Sequence, residues 1–133
     1  MKKIILSVLV FSSSLWSLTW STDLTQAFST AKKEHKLVMV MVESSFCRWC
    51  KKMKHRTLED ASVEKRLEKY ILVKVMRDDA KATAVLPKVG GVPTIFFMDS
   101  EKKVIESVVG YFDVRDFTSY IDDVEKIVQD KVK

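Results

Sequence analysis

An α/β fold, with one mixed β-sheet flanked by helices on both faces, is the class this sequence predicts, and three observations carry it. Leu37 to Val42 is an unbroken apolar run with β-branched residues, the pattern of a strand buried on both sides. Two further strand-like runs, Tyr70 to Val75 and Thr94 to Met98, are separated from it and from each other by helix-prone segments. Strands spaced in this way call for parallel neighbours. The turn Asp99 to Lys102, followed by Lys103 to Val109, adds a hairpin and with it an antiparallel edge.

Taken in order, Thr22-Asp23-Leu24 opens the first helix, with Asp23 as its cap and Gln26 three residues on. Leu24, Ala27, Phe28 and Ala31 supply its buried stripe, and Lys32 to Lys36 its polar exit. The Leu37 to Val42 strand follows. Cys47 to about Arg56 should be helical, interrupted by Thr57 to Asp60. Asp60 then caps a second helix running through Lys69, with Val63 and Leu67 turned inward. The strand Tyr70 to Val75 ends in the polar Arg77-Asp78-Asp79. Ala80 to Leu86 is a short helical stretch ended by Pro87, and Gly90 to Pro93 is a loop. Gly110 ends the hairpin. Asp113 caps a last helix whose inward face is Val114, Phe117, Ile121, Val124 and Ile127 or Val128. The element order is α-β-α-α-β-α-β-β-α.

The 133 residues suffice for one domain with a hydrophobic core, and three glycines and two prolines leave little room for long linkers. The formal charge of +5 falls to +3 without Lys2 and Lys3, too little by itself to argue for an anionic partner. No nucleic-acid motif is present, and no nucleic-acid partner is expected.

The N-terminus reads as a secretory signal over residues 1–19, leaving a domain over 20–133. Lys2-Lys3 forms a positive start, Ile4 to Phe11 an apolar core, and Ser12 to Thr19 a mixed exit. No Ala-x-Ala site marks the cut, which is expected between Ser17 and Ser21. An uncleaved membrane anchor is the alternative, although the stretch is serine-broken and short for a span. Either way the domain is expected outside the cytoplasm, with a bacterial periplasm as the compartment that permits disulfides.

The two cysteines of the chain, Cys47 and Cys50, stand three positions apart just beyond the first strand. On a helix they lie one turn apart on one face. Cys47 falls at the helix start, where unpaired N–H groups and the helix dipole favour an anion, and thiolate is the reactive form of cysteine. A bridge between them closes a very short loop, so stability alone is a poor reason for it. The densest basic cluster of the chain surrounds them: Arg48, Lys51, Lys52, Lys54, His55 and Arg56. Arg48, directly beside Cys47, is the best placed to lower its pKa, and the remaining lysines also fit a solvated helix face.

These residues resemble the thioredoxin superfamily. Cys47-Arg48-Trp49-Cys50 follows a buried strand and opens a helix, Val92-Pro93-Thr94 precedes the next-to-last strand, and Gly110 follows the last one. The string Phe46-Cys47-Arg48-Trp49-Cys50-Lys51-Lys52-Met53 is most similar to exported thioredoxin-like proteins with a Cys-x-Trp-Cys-Lys-Lys-Met motif. The resemblance covers about Trp20 to Val132. It implies a thioredoxin fold and a thiol–disulfide oxidoreductase, with Cys47 as the attacking and Cys50 as the resolving cysteine. It also implies a cis bond before Pro93, which would face the disulfide and dock substrate, with Val92 offering backbone groups to an extended chain.

Two positions depart from the family. Arg48-Trp49 stands in place of Gly-Pro, and Met41 occupies the place of the buried acid six residues before the first cysteine. Glu43 shares the strand parity of Met41 one pleat nearer the sulfurs, so it is a candidate to relay the proton of Cys50; the alternative is a solvated strand-end residue. Trp49 is a candidate docking residue or ordinary half-buried packing. No cofactor and no metal are expected. The expected partners are exported proteins with disulfides or thiols and a membrane thiol–disulfide carrier that recycles the dithiol, with the chain itself a monomer. The leaning is towards a reductase, although the basic site argues for a more oxidising dithiol. Two other classes remain: a copper metallochaperone using the same cysteines with Met53 or Met41, and a non-catalytic binding module. Zinc would want two further ligands, and only His35 and His55 are available. Haem attachment would need a histidine where Lys51 stands.

Overall fold

The computed structural model describes residues 18–133, in which five strands form one sheet and five α-helices cover it. The strands are β1 (Trp20–Ser21), β2 (Leu37–Glu43), β3 (Tyr70–Met76), β4 (Thr94–Met98) and β5 (Val104–Val109). The helices are α1 (Leu24–Glu34), α2 (Arg48–Met53), α3 (Ala61–Leu67), α4 (Ala80–Thr83) and α5 (Val114–Val132). The sheet order is β1-β3-β2-β4-β5. β3 is parallel to both β1 and β2, while β4 is antiparallel to both β2 and β5. The expected class, one mixed sheet with helices on both faces, is the observed one.

β2 is central, and its alternation decides which residues meet the cysteines. Val38, Val40 and Val42 point to one face, where they meet Leu24, Ala27, Phe28 and Ala31 of α1. Met39 and Met41 point to the other, into a core shared with α2, α3 and α5 and with both cysteines. Every residue from Val38 to Val42 is fully buried, as the unbroken apolar run requires. The expected inward residues of the last helix are there too: Phe117, Ile121 and Val124 are buried, and Val114 packs at the edge of the same core. Asp23, Asp60 and Asp113 each accept a backbone N–H at the start of α1, α3 and α5.

Strand ends differ from the sequence reading by single residues, and four differences are larger. β1 was not expected; two residues are too short for any pattern, and it is held by parallel pairing to Leu72 and Val73. The helix after Cys47 does not simply stop near Arg56. It widens into a π-helical turn over Lys54–Leu58, closed by the Glu59 N–H donating to the Lys54 carbonyl at 3.0 Å. The extra residue per turn brings both Thr57 and Leu58 inward beside Met53. α3 ends at Leu67 rather than Lys69, and α4 spans only Ala80–Thr83 and buries no side chain. The expected signal segment lies outside the described residues except for Leu18 and Thr19. Among the described residues, no helix is long and apolar enough to cross a membrane.

Tyr70, at the start of β3, is buried edge-on against Phe97, and its hydroxyl has no hydrogen-bond partner among the described residues. Burial, and then the carboxylate of Glu125, push its pKa up to about 12. The folded phenol therefore holds its proton at pH values where the unfolded one, near its ordinary 10, has lost it. Stability from this group is full below pH 10 and is lost as pH rises through 12. Tyr70→Phe is expected to melt like the parent near pH 7, because it removes an unpartnered hydroxyl. It should then fall less than the parent between pH 10 and 12. Parallel thermal melts check this, and identical alkaline losses would refute it.

Candidate active site

The site is assembled at the ends of three chain segments. The first is the turn from β2 into α2. Cys47 has extended backbone and is the N-cap of α2; the Cys50 N–H donates to its Sγ at 3.0 Å. The two sulfurs are joined in a disulfide, with the Cα atoms 5.2 Å apart. Both cysteines are largely buried, Cys47 at 9% exposure and Cys50 at 2%, so the first is the more accessible of the pair.

The second segment is the loop into β4. The Val92–Pro93 peptide is cis, as the family resemblance implied. The Thr94 hydroxyl donates to the Gly91 carbonyl at 2.7 Å, and the Gly110 N–H donates to the Pro93 carbonyl at 2.8 Å. Val92 is half-buried and packs against both cores. The cis-proline loop is thus fastened on one side to the end of β5.

The third segment begins at Gly110, whose φ of +101° lies in the region that favours glycine. It turns the chain so that Tyr111 and Phe112 come back against α2. The Tyr111 ring stacks on Trp49 at 6.0 Å between centroids. Beyond it, the buried Thr57 hydroxyl donates to the Phe112 carbonyl at 2.6 Å. Helix α2 and its π-helical turn are therefore held to this loop at two points about two helical turns apart. Neither Tyr111 nor Thr57 was singled out from sequence. Thr57 carried a usable signal, a polar residue between inward-facing Met53 and Leu58; Tyr111 carried none, because its contact is long-range.

Around the opening, Trp49 is 45% exposed, and Phe46, directly before Cys47, is fully exposed. The Arg48 guanidinium lies 5.0 Å from the centre of the Trp49 ring. The Lys52 ammonium lies 5.1 Å from Trp49 and 4.3 Å from Tyr111. Trp49 is thus both packed and presented.

Beneath the sulfurs the surroundings are apolar: Met41 is fully buried in the same core as both cysteines. Glu43 ends β2, four residues before Cys47, and its side-chain partner is Lys54, whose ammonium lies 3.0 Å from Oε2 in an ion pair without hydrogen-bond alignment. Lys54 follows Cys50 by four residues on the same helical face, so it links Glu43 to the cysteine's helix. Among the described residues, no group of three or more His, Cys, Asp or Glu side chains is arranged to hold a metal ion.

Residues 24–125 match the family model of the thioredoxin-like domain. No curated protein matches the sequence. Among solved structures, a thioredoxin from Thermus thermophilus superposes with a TM-score of 0.71 at 23% identity, covering 82% of this chain and 88% of its own. The oxidised DsbD C-terminal domain of Neisseria meningitidis gives 0.65 at 23% identity, covering 78% and 97%. The oxidoreductase DsbH gives 0.64 at 18% identity, covering 86% of each chain.

Proposed function

Because the chain belongs to the thioredoxin-like domain family and carries a redox-type Cys-x-x-Cys disulfide, we propose that it is an exported thiol–disulfide oxidoreductase acting as a reductase of protein disulfides. The observation that carries the exchange chemistry is the Cys47–Cys50 disulfide at the start of α2, with Cys47 the more exposed of the two residues, in a chain that also has the cis-Pro93 bond.

In the reducing direction, the Cys47 thiolate attacks one sulfur of a substrate disulfide. A mixed disulfide forms, and the other substrate sulfur leaves as a thiolate that takes up a proton. The Cys50 thiol then loses its proton and attacks Cys47 Sγ. The second substrate sulfur departs, and the Cys47–Cys50 disulfide remains. Two electrons pass from the dithiol to the substrate, and a membrane thiol–disulfide carrier restores them. The Cys50 N–H aimed at Cys47 Sγ supports a stabilised thiolate on the first cysteine. Burial among apolar side chains keeps the second protonated until it is needed. The Glu43–Lys54 ion pair, with Lys54 one turn beyond Cys50, supports Glu43 as the carboxylate that receives that proton. Pro93, Val92 and Trp49 dock the substrate. The Neisseria DsbD domain is described in both oxidised and reduced forms, which supports a dithiol that cycles.

Export is supported by Lys2-Lys3 and the apolar Ile4 to Phe11. A cut at the early end of the 17–21 range keeps Trp20 and Ser21 for pairing with β3.

The test is the Cys50→Ser variant. Mixed with a defined protein disulfide, it should accumulate a one-to-one adduct through Cys47 that dithiothreitol releases. Without Cys50 the adduct has no internal route to resolve. Failure to form any adduct would refute the exchange mechanism. N-terminal sequencing of the mature protein from a cell fraction tests export; recovery of an uncleaved chain in the cytosol would refute that part alone.

A further inference from the structure

The basic residues along α2 and its π-helical turn differ in their partners. Further from the sulfurs, Lys54 is paired with Glu43 and His55 with Glu59, while Arg56 is exposed with no acidic partner among the described residues. Nearer the sulfurs, Arg48, Lys51 and Lys52 are exposed, and among the described residues no acid pairs with them. Asp113, which follows Tyr111 by two residues, is engaged as the cap of α5.

Arg48 and Lys52 also lie against aromatic rings. Both lie within cation–π distance of Trp49, and Lys52 lies closer still to Tyr111. These contacts bias where the two long side chains sit without neutralising their charge. Aromatic rings cover the cations, and no carboxylate offsets them. The rim is therefore a positive surface whose side chains are already gathered over Trp49 and Tyr111, and any such preorganisation lowers the cost of binding.

We propose that this surface selects protein substrates whose reacting cysteine lies in an acidic segment, with Arg48 and Lys52 as specificity-determining residues. This rests on the exchange reaction proposed above and names its substrate class. The aromatic pair Trp49–Tyr111 acts as a positioning device for the two cations. Net charge alone did not suggest such a partner; the local distribution does. Attraction between the rim and carboxylates flanking the substrate disulfide acts on the encounter, so it should raise the bimolecular rate and be screened by salt.

The test uses pre-reduced protein and two fluorogenic disulfide peptides that differ only in carrying Asp and Glu, or Lys and Arg, around the cysteine. A neutral small disulfide, bis(2-hydroxyethyl) disulfide, serves as the third substrate. At low ionic strength the acidic peptide should react about 10-fold faster than the basic one. The preference should collapse at high salt. It should reverse in Arg48→Glu/Lys52→Glu and weaken in each single variant. Comparing ratios of ratios cancels both the intrinsic reactivity of each peptide and any change in the Cys47 thiol. Equal rates for the two peptides, or a preference that survives both salt and charge reversal, would overturn the proposal while leaving disulfide exchange intact. No reaction with any of the three substrates would overturn exchange and this selectivity together.

Discussion

Cys47→Ser will reduce dithiol-driven turnover of an insulin disulfide to the uncatalysed background. The chain has two cysteines, and the one left in this variant, Cys50, is the more buried at 2% exposure, so it is poorly placed to take over the attack. A serine hydroxyl at the same place is not ionised at neutral pH and is not a competent attacker of disulfides. The loss is to be separated from a stability effect. In the chain-entropy model the short Cys47–Cys50 loop contributes about 2 kcal/mol, against roughly 4.7 for a loop of 100 residues. The proper comparison is therefore wild-type protein with its disulfide reduced: the two should melt alike while differing in turnover. Turnover that persists in Cys47→Ser would sink the assignment of the attacking sulfur. Tight binding of one equivalent of Cu(I) by the wild type, with little turnover, would instead favour the metallochaperone.

What could be read from the sequence was whatever depends on local pattern. The apolar run of β2, the aspartate caps of three helices and the inward stripe of α5 are all determined within a turn or two of chain. The Cys-x-x-Cys pair was readable from its residue types and spacing, and the part played by Val92-Pro93-Thr94 from the family resemblance alone. What was not readable depends on pairing across the fold. β1 exists only because β3 offers it a free edge. Trp49 and Tyr111 are 62 positions apart, and nothing near either names the other. Thr57, in the π-helical turn, donates to the Phe112 carbonyl 55 positions away. Glu43 illustrates a partial success: strand parity put it on the cysteine side of the sheet, but parity could not show that Lys54 would claim its carboxylate.

Phe97→Ala will cost more stability than any surface change, and the reason lies under the active site. Phe97 is fully buried in β4 between Tyr70, at 5.7 Å, and Phe117, at 6.1 Å. These three rings belong to the core that also holds Cys47, Cys50 and Met53. Removing the middle ring leaves a cavity that three separate elements, β3, β4 and α5, would have to move to fill. Substitutions of this kind cost about 3–5 kcal/mol. For a domain of this size that is a fall of roughly 12–20 °C in melting temperature. Val109→Ala, at a half-exposed position on β5, is the matched control and should stay within about 0.5 kcal/mol of the parent. A Phe97→Ala melt within a few degrees of the control would mean that the core collapses around the gap. If the domain still folds at low temperature, its slower turnover should recover on cooling, because the sulfurs are held by the same packed layer that the ring completes.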